Sequence, residues 1–188
     1  MQTVELLFDY ASPWSYLANA IVPRRLPGVT ITYVPVYLRG FEAFATGVPY
    51  TAAKMAYVMT DFQRCAKHEG VEIAAPHAFP VNGIHALRGA IHAQRQGVFA
   101  AYHEAMFSAA WRRSKDVSTK EGVLAIASEV GLTGLSEAFD DPTIKAAVRE
   151  NTDRAVARGA FGVPTFFVGD ELFWGHDRLE HVAAALRA

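Results

Sequence analysis

The stretch FDYASPWSYL, Phe8 to Leu17, holds the junction of an apolar strand with a helix, and the order of the remaining elements depends on it. Val4 to Phe8 (VELLF) is a run of branched, leucine and aromatic residues that predicts a buried strand ending at Asp9. Ser12 has the short hydroxyl side chain favoured at a helix N-cap, and Pro13 suits the first helical position, where its missing N–H would be unpaired anyway. Leu17, Ala20 and Ile21 recur at helical spacing, and Pro27 with Gly28 closes the segment. The first turn of such a helix is a partial positive end that favours an anion, and redox thiols become thiolates in this geometry. Here both positions where a CxxC pair would stand are serines, Ser12 and Ser15, so no disulfide forms there. Serine is a weak nucleophile without a base, and no histidine lies close in this stretch. Ser12 therefore reads either as a structural N-cap or as a hydrogen-bond donor to a thiolate supplied from outside. Such a charge-assisted bond contributes roughly 1.5–3 kcal/mol, enough to lower a thiol pKa from about 8.5 by one to two units.

The composition bounds the alternatives. A chain of 188 residues with 51% hydrophobic side chains builds one full domain, with room for a large insert. Eighteen basic and nineteen acidic residues give a net charge of −1, which favours neither nucleic acid nor an acidic membrane surface. The N-terminal MQTVELLFDY lacks a basic segment followed by an apolar signal core, and no apolar run approaches the roughly 20 residues of a membrane span. The single cysteine, Cys65, offers no disulfide framework, so a reducing, cytoplasmic setting that supplies a thiol cofactor is expected. Seven histidines include no HExxH or other close ligand pair, and no metal site is expected.

Thr30 to Val36 predicts a second strand, completing a βαβ unit, and residues 37 to 53 read as an irregular loop over a site. A helix from Ala53 to about Glu69 places Val58, Phe62 and Cys65 on one face, which makes Cys65 a core residue. Lys54 stands near its start, where a cation opposes the helix dipole unless an anionic ligand or a carboxylate is near. Val71 to Gly83 is a connector in which Asn82 is either a turn residue or a polar lining group. Helices are expected over roughly 84–96, 98–110 and 118–130, with a short turn at 134–140 and another helix after Pro142 ending near Gly159. Thr165 to Val168 and Leu172 to Trp174 read as a hairpin across Gly169 and Asp170, before a final helix over 177–186. The order is that of an α/β thioredoxin-like domain (βαβ…αββα) made of residues 1–53 and 142–188, interrupted by an all-helical insert over 54–141.

SPWSY at Ser12 to Tyr16, GVPTF at Gly162 to Phe166 and FWGHDRL at Phe173 to Leu179 together resemble the 2-hydroxychromene-2-carboxylate isomerase family of the DsbA-like and kappa-class glutathione transferase group. The likeness spans essentially the whole chain. It implies that Ser12 hydrogen-bonds the sulfur of glutathione, that Pro164 is cis and that the Val163 backbone pairs with the cysteinyl part of the tripeptide. It further implies that Asp177 and the backbone of His176 hold the γ-glutamyl end and that Lys54 contacts the carboxylate side. The substrate is then a small aromatic, conjugated carbonyl compound, opened from a chromene carboxylate to a trans-benzylidenepyruvate by thiolate addition, bond rotation and thiol elimination, with Asn82 and Trp111 on the substrate side. Aromatic degradation is the usual setting, and a homodimer is expected by analogy. Val48 departs from the family pattern, because an asparagine often follows the Thr-Gly pair that is here Thr46 and Gly47. A kappa-type transferase or peroxidase, a disulfide oxidoreductase and a non-catalytic ligand-binding scaffold are the competing readings; the paired serines speak against the oxidoreductase.

Overall fold

The computed structural model describes residues 3–187. Four strands, β1 (Thr3–Phe8), β2 (Thr30–Pro35), β3 (Thr165–Val168) and β4 (Glu171–Trp174), form one sheet in the order β2-β1-β3-β4. β1 and β2 are parallel and joined by helix α1 (Pro13–Arg25), while β3 runs antiparallel to both β1 and β4. Between the two halves of the sheet the chain forms α2 (Ala52–Glu69), α3 (Ile84–Arg95), α4 (Phe99–Trp111), α5 (Lys120–Glu129), α6 (Leu135–Ala138) and α7 (Pro142–Ala157), and it ends with α8 (Leu179–Ala185). No helix among the described residues is long and apolar enough to cross a membrane.

The C-terminal half of β1 is buried on both faces, which is why Leu6, Leu7 and Phe8 follow one another without alternation, while Glu5 is half-buried and paired with Arg158. Because successive side chains on a strand point to opposite faces, Val4, Leu6, Phe8 and Phe166 enter the main core with α1, α3 and α4. Leu7, Val34, Val36 and Phe167 instead face a smaller core with Ala155 of α7. The helices of the middle segment share the core of the sheet: Phe8 packs edge-on against His103 of α4, and Tyr10 packs edge-on against Phe107 of the same helix.

The expected stripe on α1 is corrected in one position. Ala20 is exposed, whereas Ala18 is buried with Tyr16, Leu17, Ile21 and Val22, because α1 is packed by α2, α4 and α8 on more than one side. The loop after β2 contains two short 3₁₀ turns, Leu38–Gly40 and Glu42–Phe44. The expected last helix begins as a 3₁₀ turn, His176–Arg178, before α8.

Candidate active site at the start of the first helix

β1 stops at Asp9 because that carboxylate folds the chain back on itself. The backbone N–H of Ala11 donates to Asp9 Oδ1 at 2.9 Å, that of Leu38 donates to Oδ2 at 2.8 Å, and the Ser12 N–H donates to the Asp9 carbonyl at 3.0 Å. The turn delivers Ser12 in an extended conformation (φ −97°, ψ 117°) as the N-cap of α1, where its Oγ accepts from the Ser15 N–H at 3.2 Å. The same hydroxyl donates to the carbonyl of Val163 at 3.4 Å, and the Val163–Pro164 peptide is cis.

The helix end is less generous with amides than the sequence suggests. Pro13 has no N–H and Ser15 donates to the cap, so of this first turn the Trp14 N–H is left without a partner among the described residues. Val163 likewise keeps its backbone N–H unpaired, while the neighbouring carbonyl of Pro164 is held by the Gly175 N–H at 3.0 Å. An unpaired N–H and a weakly used carbonyl on one residue form the kind of edge to which an extended peptide adds as a strand.

These groups open onto one cavity of roughly 300 Å³, whose wall includes Ser12, Trp14, Val163, Pro164, His176 and Asp177. Trp14 stacks on His176 with centroids 4.9 Å apart and planes 13° from parallel. Gly162 admits the indole of Trp174, since a Cβ there would sit 3.2 Å from Trp174 Nε1. Phe44, Val48, Tyr50, Phe79 and Trp174 make the remaining wall largely apolar and aromatic.

Of the residues singled out from the sequence, Ser12, Val163, Pro164, His176 and Asp177 are brought together. Lys54 lies outside the wall, exposed on the first turn of α2, with its ammonium 4.5 Å from the ring centroid of Tyr50. That cation–π contact, rather than a carboxylate, is its partner in the fold. Asn82 is also behind the wall: its Oδ1 accepts from the Ile84 N–H at 3.3 Å and lies 3.5 Å from the Tyr37 hydroxyl, so it serves as a turn residue at the start of α3. Trp111 is corrected outright. It is fully buried at the end of α4 and its indole N–H donates to the carbonyl of Tyr10 at 2.8 Å, so it anchors the end of β1 and lines no part of the cavity.

Cys65 is half-buried rather than fully in the core, in a neighbouring groove that shares His176 and Asp177 with the cavity. Burial pushes its thiol pKa up, and the nearby carboxylates of Asp61, Asp177 and Glu69 add to the effect. This is the reverse of what a redox cysteine requires. Burial also holds the His176 imidazole below its usual pKa, against the opposing pull of Asp177.

Sequence reasoning missed Asp9, Tyr37 and Arg39, which all belong to the wall. Asp9 is completely buried, and desolvation raises its carboxyl to about 6 despite the amides of Ala11 and Leu38 and the charge of Arg39. An acid placed directly at the end of a buried strand was the available signal for Asp9. Tyr37 and Arg39 sit in a loop with no periodicity to mark them.

A DsbA-type thioredoxin frame whose redox positions hold serine is thus the class that fold and site define. Residues 3–187 match the family model of the DSBA-like thioredoxin domain, and the chain belongs to that family. It is similar to 2-hydroxychromene-2-carboxylate isomerase of Sphingobium xenophagum, with 29% identity over 195 residues covering 98% of each chain. It is also similar to human glutathione S-transferase kappa 1, at 24% identity covering 98% of this chain and 91% of the relative. A solved structure of 2-hydroxychromene-2-carboxylate isomerase superimposes with a TM-score of 0.84 at 28% identity, covering 98% of this chain and 94% of that one. The resemblance read from SPWSY, GVPTF and FWGHDRL therefore holds for family and fold.

Proposed function

We propose that the protein is a glutathione-dependent isomerase acting on a small aromatic, conjugated carbonyl compound of the 2-hydroxychromene-2-carboxylate type. The observation that carries this reading is the meeting of Ser12 with the Val163 peptide beside cis Pro164, in a cavity whose wall contains no thiol of its own.

The donor set fits glutathione. The Ser12 hydroxyl and the Trp14 N–H suit the sulfur, the free N–H and weakly used carbonyl of Val163 suit the cysteinyl backbone, and Asp177 suits the ammonium of the γ-glutamyl end. Lys54, on the first turn of α2 beside Tyr50, is near enough to the rim to serve a carboxylate. Glutathione supplies a thiol that adds to and leaves a conjugated carbonyl, which makes a double bond transiently rotatable.

The chain contributes positioning and charge. At 3.4 Å the bond from Ser12 to Val163 is at the weak end of hydrogen bonding, so the hydroxyl turns toward a thiolate at little cost while remaining the cap of α1. The apolar wall of Phe44, Val48, Phe79 and Trp174 excludes water and strengthens that donor. Val48 adds to the wall where an amide side chain would offer a further polar contact, so the ligand relies more heavily on Val163 and Asp177.

Calorimetric titration with reduced glutathione tests the reading, with the ultraviolet absorbance of the thiolate followed as pH is varied. Binding with a lowered thiol pKa, together with interconversion of 2-hydroxychromene-2-carboxylate and its ring-opened isomer at constant glutathione, is expected. No binding at millimolar glutathione would sink the proposal. Stoichiometric loss of glutathione would assign instead a transferase of the kappa type, the activity named in the human relative.

A further inference from the structure

The cavity wall has two distinct charge neighbourhoods. On one side stand His176 with Asp61 and Asp177, whose charges act on His176 and on Cys65. On the other stand Asp9, Tyr37, Leu38 and Arg39, facing Phe79 to Val81 and Gly83. The first is acidic and belongs with Val163 and Pro164; the second contains the only lysine or arginine of the wall among the described residues, Arg39.

Arg39 is exposed and makes no hydrogen bond or ion pair among the described residues, unlike several other arginines, and it lines the cavity. Arg24, Arg25, Arg113 and Arg158 each hold a carboxylate oxygen within 3.0 Å. Asp9, the nearest acid in the same wall, is not available to Arg39. Both its oxygens accept backbone amides, and its side chain is completely buried. The Tyr37 hydroxyl donates its hydrogen to Asn82 Oδ1 over a long 3.5 Å, a bond weak enough to be exchanged for one to a bound carboxylate. Arg39 and Tyr37 lie two residues apart on one turn, and the charge of Arg39 is felt by both Tyr37 and Asp9.

An unpaired guanidinium and a phenol hydroxyl beside aromatic walls are complementary to a carboxylate attached to a flat apolar group, because the guanidinium fork binds a carboxylate through two parallel N–H donors. We propose that Arg39, aided by the Tyr37 hydroxyl, is the specificity residue that binds the carboxylate of the aromatic co-substrate. The proposal rests on the isomerase reading and names the side chain that selects its substrate. It assigns the carboxylate to the half of the cavity away from Asp61 and Asp177, which would repel it and which suit an ammonium group instead.

The test compares benzylidenepyruvate with its methyl ester as ligands of the full chain, by calorimetry, in the wild type, Arg39→Gln, Arg39→Lys and Tyr37→Phe. The wild type is expected to favour the acid by about tenfold or more. Arg39→Gln should bring the two ligands within about twofold of each other, Arg39→Lys and Tyr37→Phe should fall between, and glutathione affinity should change by less than about twofold in all of them. Retention of the acid preference in Arg39→Gln overturns the proposal. A large loss of glutathione affinity in that variant also overturns it, since Arg39 would then serve a carboxylate of the tripeptide. If the wild type binds glutathione but takes acid and ester equally, only the Arg39 assignment falls. If it discriminates acid from ester but does not bind glutathione, Arg39 stands and the thiol-dependent reading falls.

Discussion

Ser12 and Val163 stand 151 positions apart in the chain, and the hydroxyl of the first donates to the carbonyl of the second at 3.4 Å. The sheet makes this meeting possible. The antiparallel register that pairs Leu7 with Thr165 carries the end of β1 and the approach to β3 to the same edge, so the residues just beyond both strands share one cavity.

Replacing Ser12 by Ala removes both bonds of that hydroxyl. Loss of the N-cap costs about 1 kcal/mol, which in a chain of this size lowers Tm by about 2–4 °C and leaves the fold intact. Loss of a charge-assisted donor of about 1.5–3 kcal/mol should reduce glutathione-dependent turnover by about 10- to 100-fold and raise the pKa of the bound thiol by one to two units. Steady-state kinetics with thermal melts separates the two effects. An unchanged rate at the lowered Tm would confine Ser12 to a structural role.

Trp111→Phe gives the opposite pattern. The substitution leaves the buried Tyr10 carbonyl without its 2.8 Å donor and opens space in the core, for a combined loss of about 2–4 kcal/mol. Because Trp111 is absent from the cavity wall, glutathione affinity measured well below the lowered Tm should match that of the wild type. A weakened affinity in a fully folded sample would return Trp111 to the site.

The contrast between Ser12 and Trp111 shows what the sequence makes legible. Ser12 announces itself through local chemistry: an apolar run, a capping hydroxyl and a proline at the first helical position are read within ten residues. The strands, the helices and the thioredoxin-like order follow from the same short-range periodicity. Trp111 fails because an aromatic at the end of a helix looks alike whether it faces a core or a ligand, and only the packing of α4 beneath Tyr10 decides. Lys54 and Asn82 miss the wall by a single layer for the same reason, each next to residues that do line it, Tyr50 and Met55 in one case, Val81 and Gly83 in the other. Asp9 is an intermediate case. Its place at the end of β1 is plain in the sequence, but its role depends on the Leu38 amide, which the fold brings in from 29 residues away.

His103 should set part of the acid limit of stability. It is buried in α4, its Nδ1 within 3.0 Å of the Tyr10 hydroxyl and its Nε2 within 3.1 Å of Asn19 Oδ1, a pattern that suits the neutral ring with the proton on Nε2. Burial drives its pKa from 6.5 down to about 3. A depressed folded pKa means that the contribution is fully present above about 6.5 and is lost as pH falls toward 3. The stability advantage of the wild type over His103→Gln, from urea unfolding, should shrink by a few kcal/mol between pH 7 and pH 4. A difference independent of pH would show that His103 is not held neutral by the fold.

Asp9 should move stability in the other direction across an overlapping pH range. Desolvation raises its carboxyl from 3.8 to about 6, so its contribution is fully present below about 3.8 and is lost as pH rises through 6. The difference of about two units corresponds to about 3 kcal/mol at neutral pH. Asp9→Asn keeps the shape but presents an amide N–H₂ to one of the two backbone donors, Ala11 or Leu38, and is therefore less stable than the wild type in acid. Between pH 4 and pH 7 the gap should narrow by up to about 3 kcal/mol, since only the wild type must ionise a buried group. Urea unfolding of both proteins at several pH values checks this, and a gap that widens with pH would show that the Ala11 and Leu38 amides, not burial, govern the carboxylate.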